Sequence, residues 1–185
     1  MTAQEPQVVI EVGEADFDLG ACWAALQARV GPAAGAVAGF AGCVRSANDS
    51  AAGGSRVGEP VRALVLEHYP GMTEASIRTI VDEALARWTL LGVHIVHRVG
   101  RLLPGAQIVM VLVASGHRAE SFAACEFIMD YLKTDAVFWK REEYVGAKAA
   151  ADSGGAGTMA EGDAGGRWLR SAELDRRRRA GWVDD

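Results

Sequence analysis

Lys133 and Lys140 stand on either side of a short stretch that ends in the aromatic pair Phe138-Trp139, and Arg141 and Glu142 follow at once. Two ammonium groups held close together lower each other's pKa, which makes one of them a usable nucleophile or proton donor near neutral pH. A lysine pair taken at random is more often two solvated surface residues. Here the aromatic pair presses on the second lysine, and Asp130, Tyr131 and Glu142 offer polar partners. From spacing alone the pair is suggestive and no more.

A second cluster, Ser115-Gly116-His117-Arg118, lies between a strand-like and a helix-like run. Such a turn exposes backbone N–H groups at a helix N-terminus, where the dipole favours anions. His117 adds a titratable donor and Arg118 a fixed cationic fork. A plain helix cap with two exposed basic side chains explains the same residues about as well. Arg45 follows a run of small residues and opens a loop, a position that suits a phosphate clamp, although a lone arginine there is usually just surface. A small anionic substrate is the common implication of these cations.

Other features carry less. His94 and His97 are three apart, which on a strand puts them on opposite faces and makes them a poor metal pair. The Gly-rich stretches 35–42 and 153–166 match neither dinucleotide-binding nor P-loop spacing. The run Arg176–Arg179 is short, terminal and followed by acidic residues, so it reads as a solvated helix end. Cys22, Cys43 and Cys125 are odd in number, widely spaced and without a C-x-x-C pair, which points to reduced thiols, mostly buried. No metal and no cofactor is expected.

The elements that must hold these groups are legible from periodicity. Residues 7–12 read as a strand, then a helix capped by Asp16 or Asp18 runs through Cys22, Trp23, Leu26 and Val30 and stops at Pro32 and Gly35. Gly35–Val44 reads as a buried strand leading to Arg45, and residues 46–60 as a mobile loop. Val61–Glu67 resumes a strand, Pro70-Gly71 turns, and Thr73 is the expected N-cap of the next helix. There Ile77, Ile80, Val81, Ala84, Leu85 and Trp88 form one apolar face. Val93–Val99 and Gln107–Ala114 read as hairpin strands about a Pro104-Gly105 turn. A helix with Phe122, Cys125, Met129 and Leu132 at helical spacing follows, then the strand Ala136–Tyr144.

Strands in hairpins mixed with crossovers argue for an α+β fold. Residues 1–144 read as the catalytic domain, 145–166 as a flexible Ala/Gly-rich segment and 167–185 as a C-terminal tail. The 185 residues carry a formal net charge of −5, which lends a general nucleic-acid role no support. Apolar runs are too short to span a membrane, and the acidic N-terminal stretch has no signal-peptide pattern, so a cytoplasmic location is expected.

With these residues assembled, the sequence resembles the large subunit of molybdopterin synthase, the MoaE family. The resemblance rests on LEHYPGMTEASI (66–77), on VHIVHRVGRLLPGAQIVMVLVASGHRAESFAACEFIMDYLKT (93–134) and on FWKRE (138–142), and covers roughly residues 8–142. It implies an α/β hammerhead fold with an additional antiparallel β subdomain, and a homodimer at the centre of a heterotetramer. The implied partner is a small ubiquitin-like sulfur-carrier subunit, whose Gly-Gly tail bears a thiocarboxylate. Two sulfurs from such tails would convert cyclic pyranopterin monophosphate into the dithiolene of molybdopterin. Carried over by motif, the catalytic lysines are Lys133 and Lys140. The substrate-binding positions are Cys43 and Val44 through backbone, then Arg45, His117, Arg118, Arg141 and Glu142, with both lysines.

Sulfur that arrives on a partner requires no cysteine of this chain, which suits three unpatterned thiols. Many relatives carry lysine where Cys43 stands, and Cys43 as a sulfur carrier ranks well below the thiocarboxylate route. Two other classes stay open on residues alone. One is a binding subunit without turnover, the other a lysine enzyme that forms a Schiff base with a carbonyl substrate.

Overall fold

The computed structural model describes residues 5–47, 58–136, 138–145, 166–169 and 181–182. In chain order the elements are β1 (Gln7–Gly13), α1 (Leu19–Val30), a 3-10 turn (Gly31–Ala33), β2 (Ala36–Cys43), β3 (Val61–His68), α2 (Met72–Arg87), β4 (Leu90–Arg98), β5 (Gly100–Leu102), β6 (Gln107–Ser115), α3 (Arg118–Thr134), β7 (Phe138–Tyr144) and β8 (Gly166–Leu169). They build two four-stranded sheets, ordered β1-β4-β6-β2 and β5-β3-β7-β8. Only β1 and β4 pair in parallel; β4–β6, β6–β2 and every pair of the second sheet are antiparallel. The expected α+β class and the β4–β6 hairpin are both present.

Alternation along β4 and β6 divides the interior into two layers. Val93, Ile95, Val109, Val111 and Val113 point to one face, where they meet Ile77, Ile80, Val81 and Ala84 of α2 and Ala124, Phe127 and Ile128 of α3. Val96, Met110, Leu112 and Ala114 point to the other face and pack on Leu26 and Val30 of α1. Each such side chain removed from water stabilises by about 1.5–3 kcal/mol, so the first layer is what pins α3 in place. A third cluster, Val44, Leu64, Leu66 and Leu102, closes the second sheet against the end of β2.

Three local expectations are corrected. Thr73 is not the N-cap of α2. Gly71 holds that position at φ 82°, a conformation that suits glycine, and its N–H donates to Glu74 Oε2 at 2.6 Å. Thr73 sits inside the first turn, fully buried, and its Oγ1 accepts from the Tyr69 N–H. Phe122 is not in the core but exposed, because α3 turns Ser121, Ala124, Cys125 and Ile128 inward instead. β2 is not a buried strand. It forms the edge of its sheet, with Ala38 buried and Phe40 40% exposed. Asp18, one of the two expected caps of α1, does accept from the Ala21 N–H at 2.7 Å.

The C-terminal part of the chain returns to the fold twice. β8 pairs with β7 in the register Lys140↔Leu169 to Glu143↔Gly166. Trp182 packs on the α2–α3 layer. The loop 46–60 falls mostly outside the described residues, and so do the Ala/Gly-rich segment before Gly166 and the run Arg176–Arg179. Among the described residues no helix is long and apolar enough to cross a membrane, and no cluster of three or more His, Cys, Asp or Glu side chains is placed to hold a metal.

Candidate active site

Lys133 occupies the last turn of α3 and is exposed. Antiparallel pairing decides what lies near it. β2 runs antiparallel to β6, with Ala36 opposite Ser115 and Cys43 opposite Gln107. α3 leaves the Ser115 end of β6 and packs back across β6 and β2, so its C-terminus reaches the end where β2 delivers Cys43, Val44 and Arg45. Val44 is buried and held at both backbone ends, its N–H on the Ala106 carbonyl at 2.9 Å and its carbonyl accepting from Gly105 at 2.8 Å. Cys43 and Arg45, on either side of it, are exposed.

The second lysine enters through the other sheet. β7 pairs with β3 so that Lys140 lies opposite Leu66 and Glu142 opposite Leu64, and both leucines pack against Val44. Directly opposed residues share a sheet face. Lys140 and Glu142 therefore face the cluster that seats Val44. Glu142 is 4% exposed, accepts the Tyr144 hydroxyl proton at 2.6 Å, and pairs with Lys140 Nζ at 3.3 Å. A buried carboxylate held by a hydroxyl and an ammonium is a rigid anchor for that lysine.

Alternation sends other expected residues elsewhere. Trp139 and Arg141 lie on the opposite face of β7 from Lys140, so only Phe138 of the aromatic pair shares its side. Trp139 is exposed, and Arg141 approaches Glu143 at 3.8 Å. His117 is the N-cap residue of α3 and Arg118 its first residue, both exposed at the Ser115 end of the sheet. Two hydrogen bonds fix that turn. The Ser115 hydroxyl donates to the His117 carbonyl at 2.6 Å, and the Gly35 N–H donates to the Ser115 carbonyl. Any side chain at Gly35 would collide with the Gly116 carbonyl oxygen. At 1.5 Å per residue, α3 separates His117 from Lys133 by about 24 Å. Strand register and packing thus carry Lys133 toward the end of β2 that leads to Arg45, set Lys140 and Glu142 on the face of the Val44 cluster, and leave His117 and Arg118 at the other end of α3.

Between β2 and α3 runs a groove of about 290 Å³. Ala38, Gly39 and Phe40 form one wall; Phe122, Cys125, Glu126, Met129, Asp130 and Lys133 form the other. It is largely apolar along its length and carries an ammonium at its last residue. Small residues in β2 leave the space, and the open edge of β2 makes it reachable by an extended chain.

Several participants carry no obvious mark in the sequence. His97 is buried and stacked on Phe138, with ring centroids 3.8 Å apart and planes 18° apart. Burial holds its pKa down at about 4, against a contrary pull from its hydrogen bond with the Arg98 carbonyl and a smaller lowering by His68. It is a neutral plate under the first residue of β7. His94 faces the other side of the sheet, as strand parity requires, and meets Glu11 at 3.0 Å. The thiols are less buried than expected: Cys125 is buried, Cys22 half-buried and Cys43 exposed. Burial first, and the Glu126 charge second, push the Cys125 pKa up to about 11, which makes it inert packing. Asp130 and Trp182, distant in sequence, meet at this site as well.

The MoaE protein family profile matches residues 12–135, two thirds of the chain and the whole of α3. The chain belongs to the MoaE family. The molybdopterin synthase catalytic subunit of Ralstonia nicotianae is 58% identical over 134 residues, which are 72% of this chain and 71% of that protein. The protein of the same description from Salmonella typhimurium is 43% identical over 173 residues, 94% of this chain and 97% of that one. Among solved structures, the molybdopterin biosynthesis MoaE protein from Burkholderia ambifaria superposes with a TM-score of 0.70 at 42% identity, covering 96% of this chain and 99% of its own. The MoaE match includes Cys43, Val44, Arg45, His117, Arg118 and Lys133, and stops short of β7, β8 and Trp182.

Proposed function

We propose that this chain is the catalytic subunit of a molybdopterin synthase, a cytoplasmic sulfurtransferase of molybdenum cofactor biosynthesis. It would move two sulfurs from the thiocarboxylated Gly-Gly tail of a small ubiquitin-like subunit onto cyclic pyranopterin monophosphate, forming the molybdopterin dithiolene. The observation that carries this reading is the groove between β2 and α3, mostly apolar, open at the sheet edge and lined at its last helical residue by Lys133. A glycine-terminated extended tail fits a slot of that kind, because it has no side chains to clear.

Each transfer forms a carbon–sulfur bond at a pterin side-chain carbon whose carbon–oxygen bond breaks, the oxygen leaving as water or staying on the phosphate. Water then cleaves the acyl–sulfur bond and releases the tail as carboxylate. Lys133 acts as general acid/base or as a transient covalent group, and Lys140, braced by Glu142, steers the anionic thiocarboxylate. Arg45 supplies a guanidinium for the substrate phosphate, with Cys43 and Val44 contributing backbone. Arg141 adds positive charge on the outer face of β7. Since His117 and Arg118 sit about 24 Å from Lys133 along α3, a second copy of the chain delivers them to the site. That arrangement agrees with a homodimer at the core of a heterotetramer. Residues 1–144 carry the catalytic domain in this reading, with 145–166 and 167–185 as its appendages.

The decisive experiment mixes the protein with a thiocarboxylated small subunit and cyclic pyranopterin monophosphate and assays dithiolene formation. Product is expected. A folded complex that yields none would sink the proposal.

A further inference from the structure

Trp182 lies far outside the stretch that the MoaE profile matches, and none of the chemistry above uses it. Its indole packs edge-on against the Trp88–Phe127 ring pair, with ring centroids 5.8 and 5.5 Å away and planes at 89° and 82°. Any aromatic ring could supply that packing. The N–H is more specific: it donates to Asp130 Oδ2 at 3.1 Å. Asp130 is a carboxylate 4% exposed, and it lines the groove together with Lys133, one helical turn further on.

A buried carboxylate is costly unless donors hold it. On a helix, Asp and Lys at i, i+3 are neighbours, so the Asp130 carboxylate is a natural competitor for the Lys133 ammonium. We propose that Trp182 is a positioning residue: its indole N–H holds the Asp130 carboxylate toward the Trp88–Phe127 side of α3, away from Lys133, which lines the same groove. The inference rests on the role given to Lys133 above. With the donor gone, the carboxylate turns to Lys133 and draws the ammonium back onto the helix surface. The C-terminal end of the chain thereby acts on the site through one hydrogen bond, without touching substrate.

The test uses the full-length protein with its thiocarboxylated partner. Trp182→Phe keeps a ring against Trp88 and Phe127 and deletes the donor. It should leave the thermal midpoint, the KM for the pterin and the affinity for the small subunit near wild type, while kcat falls about tenfold, as expected for one hydrogen bond to a charged group. Asp130→Asn added to that variant removes the competing charge and should recover most of the lost rate, an outcome that a purely structural role for Trp182 does not produce. Wild-type kcat in Trp182→Phe, or a double variant slower than Trp182→Phe, would overturn the proposal. By NMR, the Trp182 indole proton should be protected from exchange and should shift in Asp130→Asn; a rapidly exchanging proton would also overturn it. If the wild type itself makes no product, the synthase reading fails, and the indole proton still decides the Trp182–Asp130 contact by itself.

Discussion

The two ends of α3 differ in how much protein stands behind their cations. Toward the C-terminal end, where Lys133 lines the groove, the cations and their supports are held by side chains as well as backbone: Val44 pinned by two backbone hydrogen bonds, Lys140 braced on a buried Glu142, and Phe138 stacked on a neutral His97. At the N-terminal end, His117 and Arg118 project from a turn held through its backbone by the Ser115 hydroxyl, with no side chain capping the helix. The first end is built to hold geometry, as a reacting centre requires. The second offers charge and exposed N–H groups, which suffice to bind an anion brought by another surface. About 24 Å of helix between them means that a single copy cannot use both on one small substrate.

The largest effect should come from Lys133→Ala. Turnover is expected to fall by about 10²–10⁴-fold, the usual worth of a positioned acid/base group, with complex formation intact by calorimetry. A near-normal rate would erase the distinction between the ends. Mixing copies that bear Lys133→Ala with copies that bear His117→Ala and Arg118→Ala tests the division directly. If each site draws its two halves from different copies, random reassortment restores roughly a quarter of wild-type activity, whereas sites confined to one copy restore none.

Acid should loosen the C-terminal end first. His97 has its folded pKa lowered from 6.5 to about 4, so the unfolded chain binds the proton more readily and stability falls as pH drops through that window. The loss amounts to about 3 kcal/mol between pH 6.5 and 4, read from urea unfolding at stepped pH. His97→Phe, which keeps a ring under Phe138, should flatten that part of the slope; an unchanged slope would assign it to other groups. Glu142→Gln weakens the anchor of Lys140 and Tyr144 and should cost about 1–3 kcal/mol in denaturant. The smallest effect is expected from Cys43→Ser. Turnover with thiocarboxylated small subunit should be largely intact, and a loss as deep as that of Lys133→Ala would return the sulfur-carrier role to Cys43.

Much of this was legible in the residues. The apolar face Ile77, Ile80, Val81, Ala84 reads as one side of a helix, and the apolar run 107–114 reads as a strand, as both prove to be. The turn Ser115–Arg118 fell between strand and helix as its composition implied. The errors share a cause. Thr73 was expected to cap because threonine favours that position, but the local turn needed a positive φ, which Gly71 takes more easily. Phe122 shares the helical spacing of Cys125, Met129 and Leu132, yet a groove beside an edge strand leaves it exposed. Buried placement of β2 failed for a related reason: small residues describe a strand that something packs near, not one that is covered.

What the sequence determined by itself was the order of elements and which of their faces are apolar, since both follow from side-chain type and from periods of two and 3.6 residues. Strand parity alone already separated His94 from His97. Tertiary structure decided which groups meet. Pairing of β7 with β3 set Lys140 beside the Val44 cluster, antiparallel packing of α3 on β2 sent Lys133 to the Arg45 end and His117 to the other, and Trp182 came back from the end of the chain to Asp130. Contacts of that kind depend on sheet register and on the return of distant segments, and no local pattern of residues encodes either.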